Sequence, residues 1–313
     1  MRCTPESAEE TPRFSGIGSF MRLPHTRHVS GTDVVVVGVP FDTGSTYRVG
    51  ARFAPRAVRQ MSALLRPFHP TWKFFVFERC RAADYGDVPV VPGYIEESYH
   101  RIQNALRPIF DAGAVPLMVG GDHSVTLPEL RAAVATHGPL ALVHFDSHPD
   151  TWKEYFGMPH FHGSPFARAV EEGLVDTSRS IQVGLRGSVE ELYDIEGPKA
   201  LGFSTITGDE LHEMGIDEAV RQIRSRVGKS KVFLSFDIDF VDPAYAPGTG
   251  TPEVGGFTSY ETLKLIRALW DLNVVAYDLV EILPQYDPAD ITALLGANIL
   301  YEFLSSVSRR IRR

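Results

Sequence analysis

The sequence predicts an α/β domain in which a parallel sheet is covered by helices on both faces. Three observations carry this reading. Short apolar runs rich in β-branched and aromatic residues recur along the chain. Longer stretches with helical spacing lie between them, as βαβ units require. Polar residues gather at the downstream end of one run after another, in "GGDHS", "DSHPD", "DID" and "VEILP", and that is the edge where open α/β sheets bind ligands.

The elements follow in chain order. "TDVVVVGVP" (32–40) is a β-branched run closed by Gly and Pro, which predicts a strand buried on both faces. "APRAVRQMSALL" (54–65) and "ESYHRIQNALRPIFDAG" (97–113) place apolar residues three and four apart and read as helices. "AVPLMVGG" (114–121) is a second strand, followed by a helix in "SVTLPELRAAVATHG" (124–138). "PLALVHFD" (139–146), "SIQVGLRG" (180–187), "KVFLSFDIDF" (231–240) and "NVVAYDLVEI" (273–282) are further strands. Helices are expected between the last three, at "GIDEAVRQIRSRVG" (215–228) and "SYETLKLIRALWDL" (259–272). No change of composition marks a linker, so a single domain is expected after a flexible arm at residues 1–13, "MRCTPESAEETPR". The basic end "SRRIRR" reads as the solvated tail of a final helix.

Composition excludes several classes. The net charge of -8 is not that of a broad nucleic-acid surface. Cys3 and Cys80 are too few for a disulfide scaffold or a thiolate metal site, so a reducing, cytoplasmic compartment is expected. No run of about 18 apolar residues suggests a membrane partner.

The acids and histidines carry the chemistry. Alternate residues of an extended segment share a side. Asp146, His148 and Asp150 in "HFDSHPDTW" therefore converge if the strand continues, and Asp237 and Asp239 in "SFDIDF" converge likewise. His123 in "GGDHS" follows another strand, where two glycines permit a tight turn. Taken singly, each acid reads equally well as a helix cap and each histidine as a core residue. Together they do not, because several acids at apolar strand ends repel one another unless a cation neutralises them. Two divalent ions balance four carboxylates, and oxygen ligands with a minority of imidazoles suit Mn²⁺ or a first-row neighbour such as Ni²⁺ or Co²⁺. Such a pair activates water, so the chemistry implied is hydrolysis.

These segments resemble the ureohydrolases, the arginase and agmatinase family. The similarity lies in "GVPFDTGSTYRVGARFAPRAVR", "GGDHSVTLP", "HFDSHPDTW", "HFHGSPFARAVEEG", "SFDIDFVDPAYAPGTGTPEVGG" and "DLVEILPQYDPADITALLGANILYE", and is greatest to the agmatinase-like branch. It runs from "FSGIGSFMRLP" at residue 14 almost to the C-terminus. The resemblance implies one catalytic domain over residues 14–313, a three-layer α/β/α fold with a mostly parallel sheet of about eight strands and a binuclear Mn²⁺ site on its C-terminal edge. His123, Asp146, Asp150 and Asp237 would hold one ion. Asp146, His148, Asp237 and Asp239 would hold the other, with Asp146 and Asp237 bridging. His162 matches the family's proton-shuttle histidine in preference to His160, and Glu281 the acid that accepts from the guanidinium. Asp122 would orient its loop, and His144 reads as a core histidine. Trimers or hexamers of this chain, or a mixed oligomer, are the assemblies implied.

The expected reaction is hydrolysis of a guanidino compound to an amine and urea. Trp152 stands where arginine-specific members carry a polar residue, and an indole cannot replace that contact. Agmatine, 4-guanidinobutyrate and 3-guanidinopropionate are therefore the expected substrates, with Arg48 or Arg52 available to meet a carboxylate or simply structural. The family usually has Ala and Thr or Ala between the ligands where this chain has Ser147 and Pro149, both expected to point away from the metals. An N-alkylated guanidine, or a biguanide such as metformin, is the alternative substrate class. A weakly active partner subunit and a single-zinc amidase are the competing readings. DNA, RNA and membranes are not expected partners.

Overall fold

In the computed structural model, which describes residues 4–7 and 9–311, the valine run forms β1 (Val34–Gly38), buried along its whole length. Residues 1–3, Ala8, 312 and 313 of the expected arm and tail lie outside the described residues. Nine further strands follow: β2 (Phe68–His69), β3 (Phe74–Phe75), β4 (Ala82–Asp87), β5 (Val115–Val119), β6 (Ala141–Phe145), β7 (Ile181–Leu185), β8 (Ser204–Thr207), β9 (Val232–Asp237) and β10 (Val274–Val280). β2 and β3 form a small antiparallel pair. The other eight make one sheet in the order β4-β1-β5-β10-β9-β6-β7-β8, parallel at every pairing.

The four valines show how the layers arise. Val34 and Val36 face one core with α1 (Ala54–Ser62), α7 (Gly208–Val227), α8 (Ser259–Ala268) and α9 (Ile291–Arg310). Val35 and Val37 face the other, with α3 (Ile95–Asp111), α4 (Thr126–His137) and α5 (Pro165–Glu171). Successive residues thus serve opposite helical layers, giving an α/β/α sandwich. The one-turn α2 (Val76–Arg79) and α6 (Tyr193–Ala200) complete the helices longer than a 3₁₀ turn among the described residues.

All six strands expected from apolar runs are present. Besides the small β2–β3 pair, two strands have no run to announce them, β4 ("AADYGD") and β8 ("STIT"), and they are the edges of the eight-stranded sheet. An edge strand pairs on one side only and is partly exposed, so it needs no continuous apolar stretch. The helix expected from Gly215 begins earlier, at Gly208, where Thr207 and Glu210 form a capping box. Gly215, at φ 75°, kinks it where the expected helix began.

α9 is long and apolar enough to cross a membrane by length and composition, although no apolar run in the sequence suggests a membrane partner. It is instead a core helix, with 83% of its most apolar 18-residue stretch buried in the domain. Its basic end is not the solvated tail expected. The Arg309 guanidinium lies 3.9 Å from the centre of the Trp270 ring and 4.6 Å from that of Trp72. Arg310 donates to the carbonyls of Leu272 and Val274. At the other end, Glu6 ties the arm down, its N–H donating to the Arg22 carbonyl at 3.1 Å and its carboxylate pairing the Arg22 guanidinium at 3.0 Å.

After β5 the chain crosses to β6 on the far side of β9 and β10, which later fill the gap. The C-terminal ends of β5, β10, β9 and β6 therefore lie side by side at the reversal of strand order, where a crevice opens. α9 fixes β10 in this array through Phe303, 1% exposed and stacked on Tyr277 at 4.6 Å. Phe303→Ala is expected to cost about 3–5 kcal/mol, read as a loss of unfolding free energy in denaturant titration; a cost under about 1 kcal/mol would show that α9 does not anchor the sheet.

Candidate metal centre

Backbone turns, rather than strand alternation, bring the acids together. β6 ends at Phe145, so "DSHPD" is not extended. The Asp146 carboxylate instead accepts the His148 N–H at 2.6 Å, and Asp150 takes a left-handed φ of 50°. β9 ends at Asp237, whose carboxylate accepts the Asp239 N–H at 2.8 Å and starts a 3₁₀ turn. His123 opens another such turn after β5, capped by Asp122. The glycines before it are not there for positive φ. A Cβ at Gly121 would lie 1.5 Å from the Phe41 carbonyl oxygen, and one at Gly120 would lie 2.7 Å from a Val280 methyl, so close packing excludes larger residues.

Two groups of ligand atoms result. His123 Nδ1 lies 2.8 Å from an oxygen of Asp150, 3.1 Å from Asp146 Oδ2 and 3.2 Å from Asp237 Oδ2. His148 Nδ1 lies 3.0 Å from Asp239 Oδ2 and 3.5 Å from Asp146 Oδ1. Asp146 thus offers one oxygen to each group. The residues are buried apart from His148, whose side chain is 23% exposed.

His123 Nδ1, Asp239 Oδ2 and Glu281 Oε2 are buried without a hydrogen bond. Nitrogen and carboxylate oxygens that crowd together yet align with no donor fit divalent cations of the first transition row. Burial and the charges of Asp239 and Asp146 push the Asp237 carboxyl well above its ordinary range. Burial acts in the same sense on Asp146, but His144, His123 and His148 outweigh it and hold that carboxyl low.

Outer contacts aim these groups. Ser235 Oγ, 2.9 Å from His123 Nε2, turns Nδ1 toward the acids. His144 lies near enough to His123 and Asp146 to join a ligand set. Both its nitrogens are engaged, however, by Asp146 at 2.8 Å and Gln182 at 3.0 Å, so it is the buried, satisfied histidine expected. Ser147 does not point away: its N–H and hydroxyl donate to Asp239 Oδ1 at 3.0 and 2.7 Å. The turn that replaces the extended strand re-aims it. Pro149 keeps its carbonyl as acceptor for Gln182 at 2.6 Å.

His162 and Glu281 stand beside this centre. His162 Nδ1 is 2.9 Å from Glu281 Oε1, which also accepts the His123 N–H at 3.0 Å. Glu281 follows β10 at φ 61°, a conformation that costs a non-glycine residue about 1–3 kcal/mol. Burial alone would lower the proton affinity of His162, but the Glu281 bond and the charges of Glu281, Asp150 and Asp122 raise it. Asp122 accepts the Gly44 N–H at 2.7 Å and so holds the loop after β1 on the site; burial and Glu281 lift its carboxyl to about 7. His160 is T-shaped against Tyr99 and does not line the cavity.

A cavity of about 390 Å³ lies above the acids, walled by Thr46, Trp152, Phe161, His162 and Arg186. Trp152 donates to Asp194 at 2.6 Å, so its only polar atom is spent. Neither arginine suggested for a substrate carboxylate lines this cavity. Arg52 pairs with Asp42, and Arg48 lies over the Tyr286 ring at 4.7 Å. Arg186 and Thr46 are among the lining residues that motif reading missed, as are Glu154, Glu190 and Glu191. Arg186 and Thr46 sit outside the acid-histidine pattern, Arg186 at the end of the strand run "SIQVGLRG" and Thr46 in "GVPFDTGSTYRVGARFAPRAVR".

The charges set the response to metal removal. Burial opposes protonation of His123 and His148, yet their acidic neighbours hold both well above the usual histidine range. The stability they lend is present below the unfolded value near 6.5 and lost as pH rises through the folded one. Asp237, whose carboxyl is raised in the fold, changes stability in the same direction, whereas the contribution of Asp146, whose carboxyl is lowered, is constant above the ordinary carboxylate range. The thermal midpoint of the EDTA-treated protein is therefore expected to fall from about pH 6 to pH 9, with added Mn²⁺ restoring more at the higher pH. A flat profile would contradict this charge arrangement.

Comparison with known proteins adds descent to geometry. Residues 32–305 match the arginase family. The chain is 44% identical over 310 residues to the guanidinopropionase of Pseudomonas aeruginosa, covering 99% of this chain and 97% of that protein. It is 43% identical over 300 residues to the mitochondrial agmatinase of Gallus gallus, covering 96% and 88%. Its fold superposes on the proclavaminate amidino hydrolase of Streptomyces clavuligerus with a TM-score of 0.90 at 40% identity, covering 96% of this chain and 99% of that one. With its acids, imidazoles and strand order arranged as described, this chain belongs to the arginase family.

Proposed function

We propose that the protein hydrolyses a guanidino compound to an amine and urea over a pair of Mn²⁺ ions, with Ni²⁺ or Co²⁺ able to use the same ligands. One observation carries the reading: four buried carboxylates and two imidazoles crowd together directly beneath an open cavity, with His123 Nδ1 and Asp239 Oδ2 left without a hydrogen-bond partner. Family membership makes it an amidinohydrolase, acting on carbon–nitrogen bonds of linear amidines. In this reading His123, Asp146, Asp150 and Asp237 hold one ion, and Asp146, His148, Asp237 and Asp239 the other. When bound, such a pair lowers the pKa of a water and supplies a nucleophile at neutral pH.

The chain's own residues do the rest. Glu281 keeps Oε2 free of hydrogen bonds, which suits it to accept from a planar guanidinium. His162, joined to Glu281 and buried enough to be shielded from bulk water, carries a proton to the departing amine. Trp152 walls the space for the substrate tail. Of the substrates named for relatives, a cationic tail such as that of agmatine suits this rim better than a carboxylate. Glu154, Glu190 and Glu191 line it, and Arg186 spends its donors on the carbonyls of Gly184, Asp239, Glu253 and Val254. A biguanide or N-alkylated guanidine, cationic and without a carboxylate, fits the same observation. The proposal includes assembly as a trimer or hexamer, on the strength of family resemblance.

Asp146→Ala and Asp237→Ala are each expected to lose bound metal by elemental analysis and to lower urea release at least about 1000-fold. Normal turnover with two ions bound to the Asp237 variant would overturn the ligand assignment. In a urea-release screen agmatine or a biguanide is expected to exceed guanidinopropionate and guanidinobutyrate in kcat/KM by about tenfold or more, and the reverse order would show that the acidic rim does not select the tail.

A further inference from the structure

Each ring nitrogen of His162 has its own partner. Nδ1 meets Glu281 Oε1 at 2.9 Å, and an ionised carboxylate only accepts. Nε2 meets Thr46 twice, the hydroxyl at 2.7 Å and the backbone N–H at 3.3 Å. A backbone N–H only donates, so it faces a nitrogen with a free lone pair. The neutral ring that satisfies both ends carries its hydrogen on Nδ1.

The Thr46 hydroxyl makes the second protonation state accessible. It donates to the lone pair of neutral Nε2, and after rotation of its O–H bond it accepts from Nε2–H of the imidazolium. The N–H beside it cannot reverse in this way. Thr46 is also held in place from several directions. Gly44, two residues earlier, donates to Asp122 at 2.7 Å and accepts the His162 N–H at 3.0 Å, while Gly50 donates to Asp42 at 2.8 Å. A Cβ on Gly44 would lie 2.8 Å from Ser124 Oγ, so the loop runs against the site without a spacer.

We propose that Thr46 is a positioning residue for the reaction, fixing His162 as the Nδ1–H tautomer and allowing Nε2 to gain and lose a proton without the ring moving. The proposal rests on His162 being the proton carrier of the preceding section. The charged and titratable groups around that ring are Glu281, Asp122 and Asp150, all of which favour the imidazolium, so Thr46 N–H is the opposing contact.

The test uses the full-length, metal-loaded protein with Thr46→Val and Thr46→Ser. Val keeps the shape and the N–H but removes the acceptor for the imidazolium. It is expected to lower kcat at least about tenfold, leave KM within about twofold and metal content unchanged, and move the pH limb of kcat belonging to His162 to lower pH. Ser is expected to restore kcat and the limb. A Val variant with wild-type kcat and pH limb, a change confined to KM, or a Ser variant as impaired as Val would overturn the proposal. ¹⁵N-histidine NMR of the protein loaded with diamagnetic Zn²⁺, with His162→Asn to identify the resonance, reads the tautomer independently of turnover. An Nε2–H neutral ring would overturn the proposal whatever the activity. A wild type that hydrolyses no guanidine yet shows Nδ1–H would sink the functional reading and leave the tautomer assignment standing.

Discussion

The structure depends on one electrostatic constraint: four aspartates buried at the ends of neighbouring parallel strands, close enough that they cannot all be ionised without compensating charge. Two histidines compensate them in part, each imidazole crowded by two or three carboxylates. The arrangement costs stability as it stands and gains it on binding cations, so the centre links metal binding to folding. The strand order makes the crowding possible by placing β5, β10, β9 and β6 side by side at the switch point.

The backbone is shaped to meet that constraint. Asp146 and Asp237 each accept an N–H two residues on, which tightens the chain and points the next ligand inward. Asp150 and Glu281 adopt left-handed φ, and the close approach of Phe41 to Gly121 leaves no room for a side chain on the loop that carries His123. Strain of this kind persists only where surrounding packing over-determines it. Here it lies on a proposed ligand and on the acid beside the proposed proton carrier, so the stabilisation supplied by the two cores is partly spent on preorganisation.

Around the aspartates a second set of contacts fixes orientation rather than charge. Ser235 and Ser147 each bind one atom of a proposed ligand, leaving the opposite atom directed at the centre, and His144 steadies Asp146 through Oδ2. Asp122 binds both the Ser124 turn and Gly44, so the loop bearing Thr46 is tied to the turn bearing His123. Glu281 likewise joins His123 to His162. His123, His162 and the cavity wall at Thr46 are thereby one hydrogen-bonded unit.

The sequence by itself determined the sheet's interior and the class of chemistry, and it pointed to the acids and histidines that the fold gathers at one edge of the sheet. Apolar runs such as Val34–Val37 admit little but a doubly covered strand, and acids that recur at the ends of such runs admit little but a cation. Edge strands β4 and β8 were not legible, because pairing on one side leaves their composition unconstrained. Only the tertiary structure decided how the ligands converge, since a turn and an extended strand share the letters "DSHPD" and differ in what the carboxylate of Asp146 accepts. It also decided the roles of Ser147, Thr46 and Arg310, whose partners lie 92, 116 and 38 or fewer residues away along the chain. Local pattern fixes which residues want burial or charge, but a hydrogen bond between distant segments depends on the whole sheet having assembled first.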